Sequence, residues 1–417
     1  MVGVAALGYN LRGAITSLPP LFPELTQSLR LSAAEVSFLA AVPVLCFGVV
    51  SGFAAWFARR LGEELVLGIA AVVLTAGLLL RAAAPGVLLF PGTVLAAGSI
   101  AVMNVLLSSL IKRRWPERAG MLIGVYITAL SLGAITGSLG AVPIWDASGG
   151  SVFLSLGWLA APAALAAVAW APQLRYRTGL RSPAGPAAAS PPPRVAVHRH
   201  ALAWQVMAFM GIQSLLYYGV LSYLPTMLRD RGASAAAAGN LAALMGVGNL
   251  AVSLIVPILA QRMRSQRALV VPTVLALAVG LAGTVYAPLG SAPLWVLILG
   301  AGQNAALSLA IFFTMARAPH PAAAASLSGL AQAAGYLLAT VGPLELGLLH
   351  SATGSWNPPL IVLFSLNAVL MVAGLLAARG RVLPDGTLGH PGGRSPAAPD
   401  ERATLCMRRH RSGSTWT

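Results

Sequence analysis

Runs of about twenty apolar residues recur along the whole chain, and that is the length a helix needs to cross a hydrocarbon core roughly 30 Å thick. Short polar punctuation separates the runs, which place spans at about 2–22, 34–57, 65–84, 88–111, 119–141, 152–171, 203–225, 235–260, 268–287, 293–316, 326–349 and 358–378. Backbone groups in lipid must be satisfied within a span, and solid apolar runs lack the alternation of a β-barrel. The expected fold class is therefore an all-α integral membrane protein with twelve transmembrane helices. Its composition agrees, being 57% hydrophobic and 9% charged with a mean hydropathy of +0.78.

A net charge of +16 raises the question of nucleic acid, but the charges follow membrane topology instead of gathering on a soluble domain. With both termini cytoplasmic, 22 of the 27 basic residues fall on the inner side, leaving Arg30, Arg81, Arg229 and Arg231 outside and Arg12 alone within a span. This orientation in a cell membrane is the expectation. The start has neither a basic lead nor a clear cleavage site, so the first run reads as a retained helix. Cys46 lies in the second span and Cys406 in the tail, which offers neither a disulfide nor a metal site.

The chain divides into a six-helix bundle over 1–171, a cytoplasmic linker over 172–202, a second bundle over 203–378 and a disordered cytoplasmic tail over 379–417. The linker carries Pro183, Pro186, Pro191, Pro192 and Pro193. The tail is rich in Gly, Pro and Arg, and its arginines suit anionic lipid. Sliding the second half on the first by 202 residues aligns Phe22-Pro23 with Leu224-Pro225, Leu39-Ala40-Ala41 with Leu241-Ala242-Ala243, Arg60 with Arg262, and Gly98, Gly133 and Gly140 with Gly300, Gly335 and Gly342. Two parallel, pseudo-symmetric repeats of six helices are the architecture of the major facilitator superfamily, with a substrate site between the halves.

A narrower resemblance rests on Asn10-Leu11-Arg12 through Ser17-Leu18-Pro19-Pro20-Leu21, on Val42-Pro43-Val44-Leu45-Cys46-Phe47-Gly48, and on Met103-Asn104-Val105-Leu106. Further matches are Gln213-Ser214-Leu215-Leu216-Tyr217-Tyr218-Gly219, Leu327-Ser328-Gly329-Leu330-Ala331-Gln332, Gly335-Tyr336 and Gly342-Pro343. The chain resembles the cyanate permease and nitroimidazole transporter family over nearly residues 1 to 378. The resemblance implies a secondary transporter of a small organic or pseudohalide anion such as cyanate, working by alternating access. Efflux of drug-like compounds such as nitroimidazoles, or solute sensing without translocation, are the alternatives. The superfamily's loop signature between spans two and three is altered to Arg59-Arg60-Leu61-Gly62-Glu63-Glu64, so its usual gating salt bridge does not carry over unchanged.

Arg12 is the sharpest single feature, because a guanidinium at a helix centre costs about 2.5–3.5 kcal/mol on insertion and normally faces a cavity or a partner. Its planar fork suits a carboxylate or similar anion, and capping of carbonyls is the structural alternative. Asn10 and Thr16 share the polar side of the first span. In span seven Gln213 and Tyr217 lie four apart, as do Ser214 and Tyr218, giving a polar aromatic face. Asn104 in span four, the Gln303-Asn304 pair in span ten, and Gln332 and Tyr336 in span eleven complete the substrate-binding candidates, with helix-to-helix bonding as the alternative role. Glu345, the one acid well inside a span, is the candidate for proton coupling, against snorkelling to water. Gly133 and Gly137 form a G-x-x-x-G that reads as close helix packing.

The single lysine, Lys112, follows no G-x-x-x-x-G-K, so no ATP-binding loop is present. His198, His200 and His350 form no catalytic or metal-ligand constellation, so neither an enzyme nor a cofactor is expected. The expected partners are a small solute, a coupling ion such as H+, and the bilayer, with the chain acting as a monomer.

Overall fold

The computed structural model describes residues 2–176, 199–252, 255–263 and 265–384. Most of the linker, with Arg177, Arg181, Arg194 and His198, lies outside the described residues, as does the tail from 385 with Cys406. Sixteen α-helices and no strands occur among the described residues. They are α1 (Val2–Thr16), α2 (Phe22–Leu29), α3 (Ala33–Leu61), α4 (Glu63–Ala83), α5 (Pro85–Arg114), α6 (Ala119–Ala147), α7 (Val152–Gly157) and α8 (Ala160–Trp170) in the first half. The second half holds α9 (Ala201–Asp230), α10 (Ala235–Val252), α11 (Ile255–Arg262), α12 (Arg267–Tyr286), α13 (Ala292–Ala316), α14 (Pro321–Ala339), α15 (Val341–Thr353) and α16 (Asn357–Ala377).

Nine segments among the described residues are long and apolar enough to cross a membrane, the α7–α8 pair counting as one. The first and eleventh spans are instead each built from two shorter helices laid in succession, α1 with α2 and α14 with α15, and the described parts of the eighth span are α10 and α11. Pro19 and Pro20 explain the first break: proline removes a backbone donor, and a short 3-10 turn at Pro19–Leu21 takes over between the helices. In the eleventh span α14 ends just ahead of Gly342-Pro343, with Thr340 at the junction.

The packing repeats between halves. Helix α1 lies against α6 and α8 as α9 lies against α14 and α16; α3 packs on α5 as α10 packs on α13; and α4 packs on α5 and α8 as α12 packs on α13 and α16. Glycine makes the tightest of these approaches. A Cβ on Gly133 would collide with the Tyr9 backbone, and one on Gly335, 202 residues on, would crowd Gly211, itself 202 residues beyond Tyr9. Gly137 meets the Gly13 carbonyl in the same manner, so the G-x-x-x-G of α6 is a packing seam against α1.

The halves meet along α3 with α14 and α15, along α6 with α10, and where the Pro19–Leu21 turn touches α9 and α10. Arg81, in the last turn of α4, is 1% exposed within the first half, where it donates to the carbonyls of Leu156 at 3.2 Å and Ala14 at 3.4 Å. The break between α7 and α8 leaves Leu156 among carbonyls that want an outside donor, and Arg81 supplies one. Residues 379–384, expected within the disordered tail, pack back on the bundle: Leu383 is buried and its N–H donates to the Arg317 carbonyl at 2.9 Å.

Candidate functional site

Helix α1 carries Arg12 to the junction of the two halves. Its guanidinium is half-buried, donates through Nη1 to the Tyr217 hydroxyl on α9, and lies 5.2 Å from the centre of the Tyr217 ring. Such cation–ring contacts contribute about 0.5–2 kcal/mol, more as water is excluded. Tyr217 stands edge-on to Tyr218 with centroids 5.0 Å apart, and Tyr218 is 6.3 Å from Tyr336 of α14. Phe47 of α3 closes the aromatic group, 5.7 Å from Tyr336 and 6.3 Å from Tyr218. The hydroxyl of Tyr126 on α6 donates to Asn104 Oδ1 at 2.5 Å.

Among the described residues no carboxylate forms an ion pair with Arg12; the ion pairs involve Glu24, Glu63, Glu64 and Asp230. A fixed cation walled by ring faces and hydroxyl groups, contributed by both halves, can hold a small anion by a charge-assisted fork and pack a flat body against the rings.

The sequence candidates divide in this arrangement. Arg12, Tyr217, Tyr218 and Tyr336 come together, while Asn104 accepts from the Tyr126 hydroxyl. Asn10 does not join them: its amide donates to the carbonyls of Ala6 at 2.9 Å and Pro162 at 3.1 Å, a tie to α8 inside the first half. Thr16 likewise bonds the Ala134 carbonyl at 2.9 Å and fastens α1 to α6. Gln213 donates to Ser214 Oγ at 2.7 Å, while the Tyr217 hydroxyl accepts from Arg12. Gln303 is 1% exposed with its Oε1 unpaired, while Asn304 beside it is half-buried. Gln332 is exposed and donates to Ser328 at 2.8 Å. Glu345 on α15 is half-buried and forms no ion pair.

Phe47 and Tyr126 escaped the sequence reading because an aromatic side chain in an apolar run looks like ordinary core. Phe47 did carry a signal, since it sits in the Val42–Gly48 segment on which the family resemblance rests.

The end of the bundle beyond the aromatic group, on the α2 side, is tied shut. Glu24 of α2 meets Arg229 of α9 at 2.6 Å, and the Tyr223 hydroxyl donates to Ser37 at 3.0 Å. Gly347 of α15 lies so close to both Tyr223 and Ser37 that no side chain fits there. At the opposite end Arg113 meets Glu63 at 3.2 Å and Arg114 meets Glu64 at 3.3 Å within the first half. The altered loop signature thus places its two acids against the end of α5.

Nine membrane-crossing segments among the described residues, packed in two bundles that repeat each other's contacts, with a polar group where they meet, define a transporter-like fold. The family model described as Major Facilitator Superfamily matches residues 4–343, and the chain belongs to that superfamily. It is 36% identical over 389 residues to "Uncharacterized transporter YycB" of Bacillus subtilis (strain 168), covering 92% of this chain and 94% of that one. It is 34% identical to the "2-nitroimidazole transporter" of Escherichia coli (strain K12), over 91% of this chain and 95% of the relative. The "Cyanate transport protein CynX" of the same organism is 28% identical over 84% of this chain and 89% of its own length. Among solved structures, a D-xylose-proton symporter superposes with a TM-score of 0.71 at 16% identity, over 91% of this chain and 98% of that one, and so shares the fold. The protein is a multi-pass membrane transporter of small solutes.

Proposed function

We propose that the solute is a small, flat organic or pseudohalide anion of the cyanate or carboxylate kind, bound at Arg12 between the halves and moved by alternating access. One observation carries this reading: the half-buried Arg12 guanidinium has hydroxyl and ring partners but no carboxylate among the described residues, so its charge is available to a ligand. Tyr217, Tyr218, Tyr336 and Phe47 form the wall, and Asn104 with Tyr126 the far side. The positive-inside pattern supports a cytoplasmic location for both termini, with the closed α2 end facing outward and the site reached from the cytoplasm. The bacterial relatives support a plasma membrane location.

Glu345 is the coupling carboxylate in this reading, because it is the one described acid well inside a span and outside any ion pair. A second reading is favoured by the rings: a nitroaromatic such as a 2-nitroimidazole also offers two oxygens to the guanidinium and a flat face to the tyrosines. Uptake into proteoliposomes of cyanate, small carboxylates and nitroimidazoles, with and without an imposed proton gradient, separates the two. Gradient-driven accumulation of the anions supports the first reading. Flux of nitroimidazoles alone supports the second, and specific binding with no flux of any of them would mark a sensor.

A further inference from the structure

Far from Arg12, at the end where α12 begins and α16 stops, Ser265, Arg267, Arg379, Gly380 and Arg381 line an open cleft of about 460 Å³. Three of its five lining residues are arginines and none is acidic. The wall is built, not incidental. Arg267 Nε donates to the Leu375 carbonyl at 3.3 Å and Ser265 Oγ to the Ala378 carbonyl at 3.3 Å, while the neighbouring Arg317 Nε takes the Ala377 carbonyl at 2.9 Å. The last carbonyls of α16 are thus occupied by cationic and hydroxyl donors, and Arg379 and Arg381 line the cleft beside them. Arg379 Nε is buried with no hydrogen-bond partner. Helix α12 opens at the same place without a side-chain cap, since Gln266 turns back to the carbonyls of Ala260 and Met263, and the positive end of a twenty-residue helix adds to the field.

We propose that this cleft is a binding site for the phosphate headgroup of an anionic phospholipid. The chemistry asks for a phosphate: three forked cations with no acid among the described lining residues, one of them holding a buried donor unsatisfied. The location supplies the lipid, because the cleft lies at the ends of two membrane-crossing helices, where a headgroup stands beside the protein at high local concentration. The segment 379–384 that completes the cleft is held to the bundle by Leu383, so an occupied cleft also fixes the exit of the chain from α16.

The test uses the full-length protein in detergent, titrated with phosphatidylglycerol or phosphatidylcholine of matched acyl chains, with bound lipid counted by native mass spectrometry. Wild type is expected to prefer phosphatidylglycerol, and the preference to fall about five-fold for each arginine removed among Arg267→Gln, Arg379→Gln and Arg381→Gln. Arg60→Gln, which removes a cation from over the Trp56 ring elsewhere, is expected to leave it unchanged. Arg381→Gln alone keeps the test sound if the combined variant fails to fold, since the Arg381 side chain is exposed and makes no hydrogen bond within the described residues. Equal retention of the two lipids by wild type, or equal phosphatidylglycerol retention by wild type and Arg381→Gln, overturns the proposal. Stabilisation by inorganic phosphate without any lipid preference overturns it too, in favour of a free anion.

Discussion

Glu24 and Arg229 meet at 2.6 Å across the two halves, each side chain largely withdrawn from solvent, at the end where Tyr223 also reaches Ser37. An ion pair between elements that separate in one state and join in the other biases that equilibrium directly. Glu24→Gln should shift the halves towards opening at this end by roughly 1 kcal/mol, about five-fold in population. Spin-label distances between the α2 and α9 ends measure the shift, and the charge-swapped pair Glu24→Arg with Arg229→Glu should recover part of the closed population.

Tyr217 aims the guanidinium. Tyr217→Phe keeps the ring beside Arg12 and removes the hydroxyl, and a hydrogen bond to a charged group contributes about 1.5–3 kcal/mol. Substrate KM should rise roughly ten-fold, and Tyr217→Ala should raise it further by losing the ring contact as well. Initial-rate uptake checks both, and a Tyr217→Phe protein with unchanged KM would remove Tyr217 from the site.

Arg81 is a structural cation. Arg81→Met leaves the carbonyls of Leu156 and Ala14 without their donor, which should destabilise the protein by about 1–3 kcal/mol while the KM of what remains folded stays at the wild-type value. Thermal unfolding in detergent alongside uptake kinetics distinguishes this from a role in binding.

Gly133 and Gly124 sit on the same helix with opposite surroundings. Gly133→Ala drives a Cβ into the Tyr9 backbone and should cost about 1–3 kcal/mol, whereas nothing lies within 4 Å of a Cβ on Gly124. Gly124→Ala should therefore be neutral or stabilising by up to about 1 kcal/mol through helix propensity. Melting temperatures of the two variants decide the matter.

The apolar runs made the fold legible, because in a bilayer length and hydropathy alone select helices. Arg12 was legible for the same reason, as a charge where charges are expensive. Which way the smaller polar side chains turn was not. Asn10 and Thr16 lie on the same short helix as Arg12, yet their bonds run to α8 and α6, because a helix crossed on several sides offers more than one polar outlet. The carbonyl-capping role of Arg81 was not legible either, because the demand for it comes from Leu156, 75 residues away, at a helix break that apolar composition conceals. Phe47 became part of the wall only through the packing of α3 on α14, a contact between halves that no local pattern encodes.

The central claim is that Arg12 holds an anion, and equilibrium binding to purified protein tests it without requiring flux. Titration calorimetry with the transported anion should give a saturable isotherm for wild type, a loss of roughly 10- to 150-fold in affinity for Arg12→Gln, and partial retention for Arg12→Lys, which keeps the charge but loses the fork. The loss should be confined to charged ligands, leaving any neutral analogue nearly unaffected. An Arg12→Gln protein that melts like wild type and binds the anion with wild-type affinity would contradict the claim.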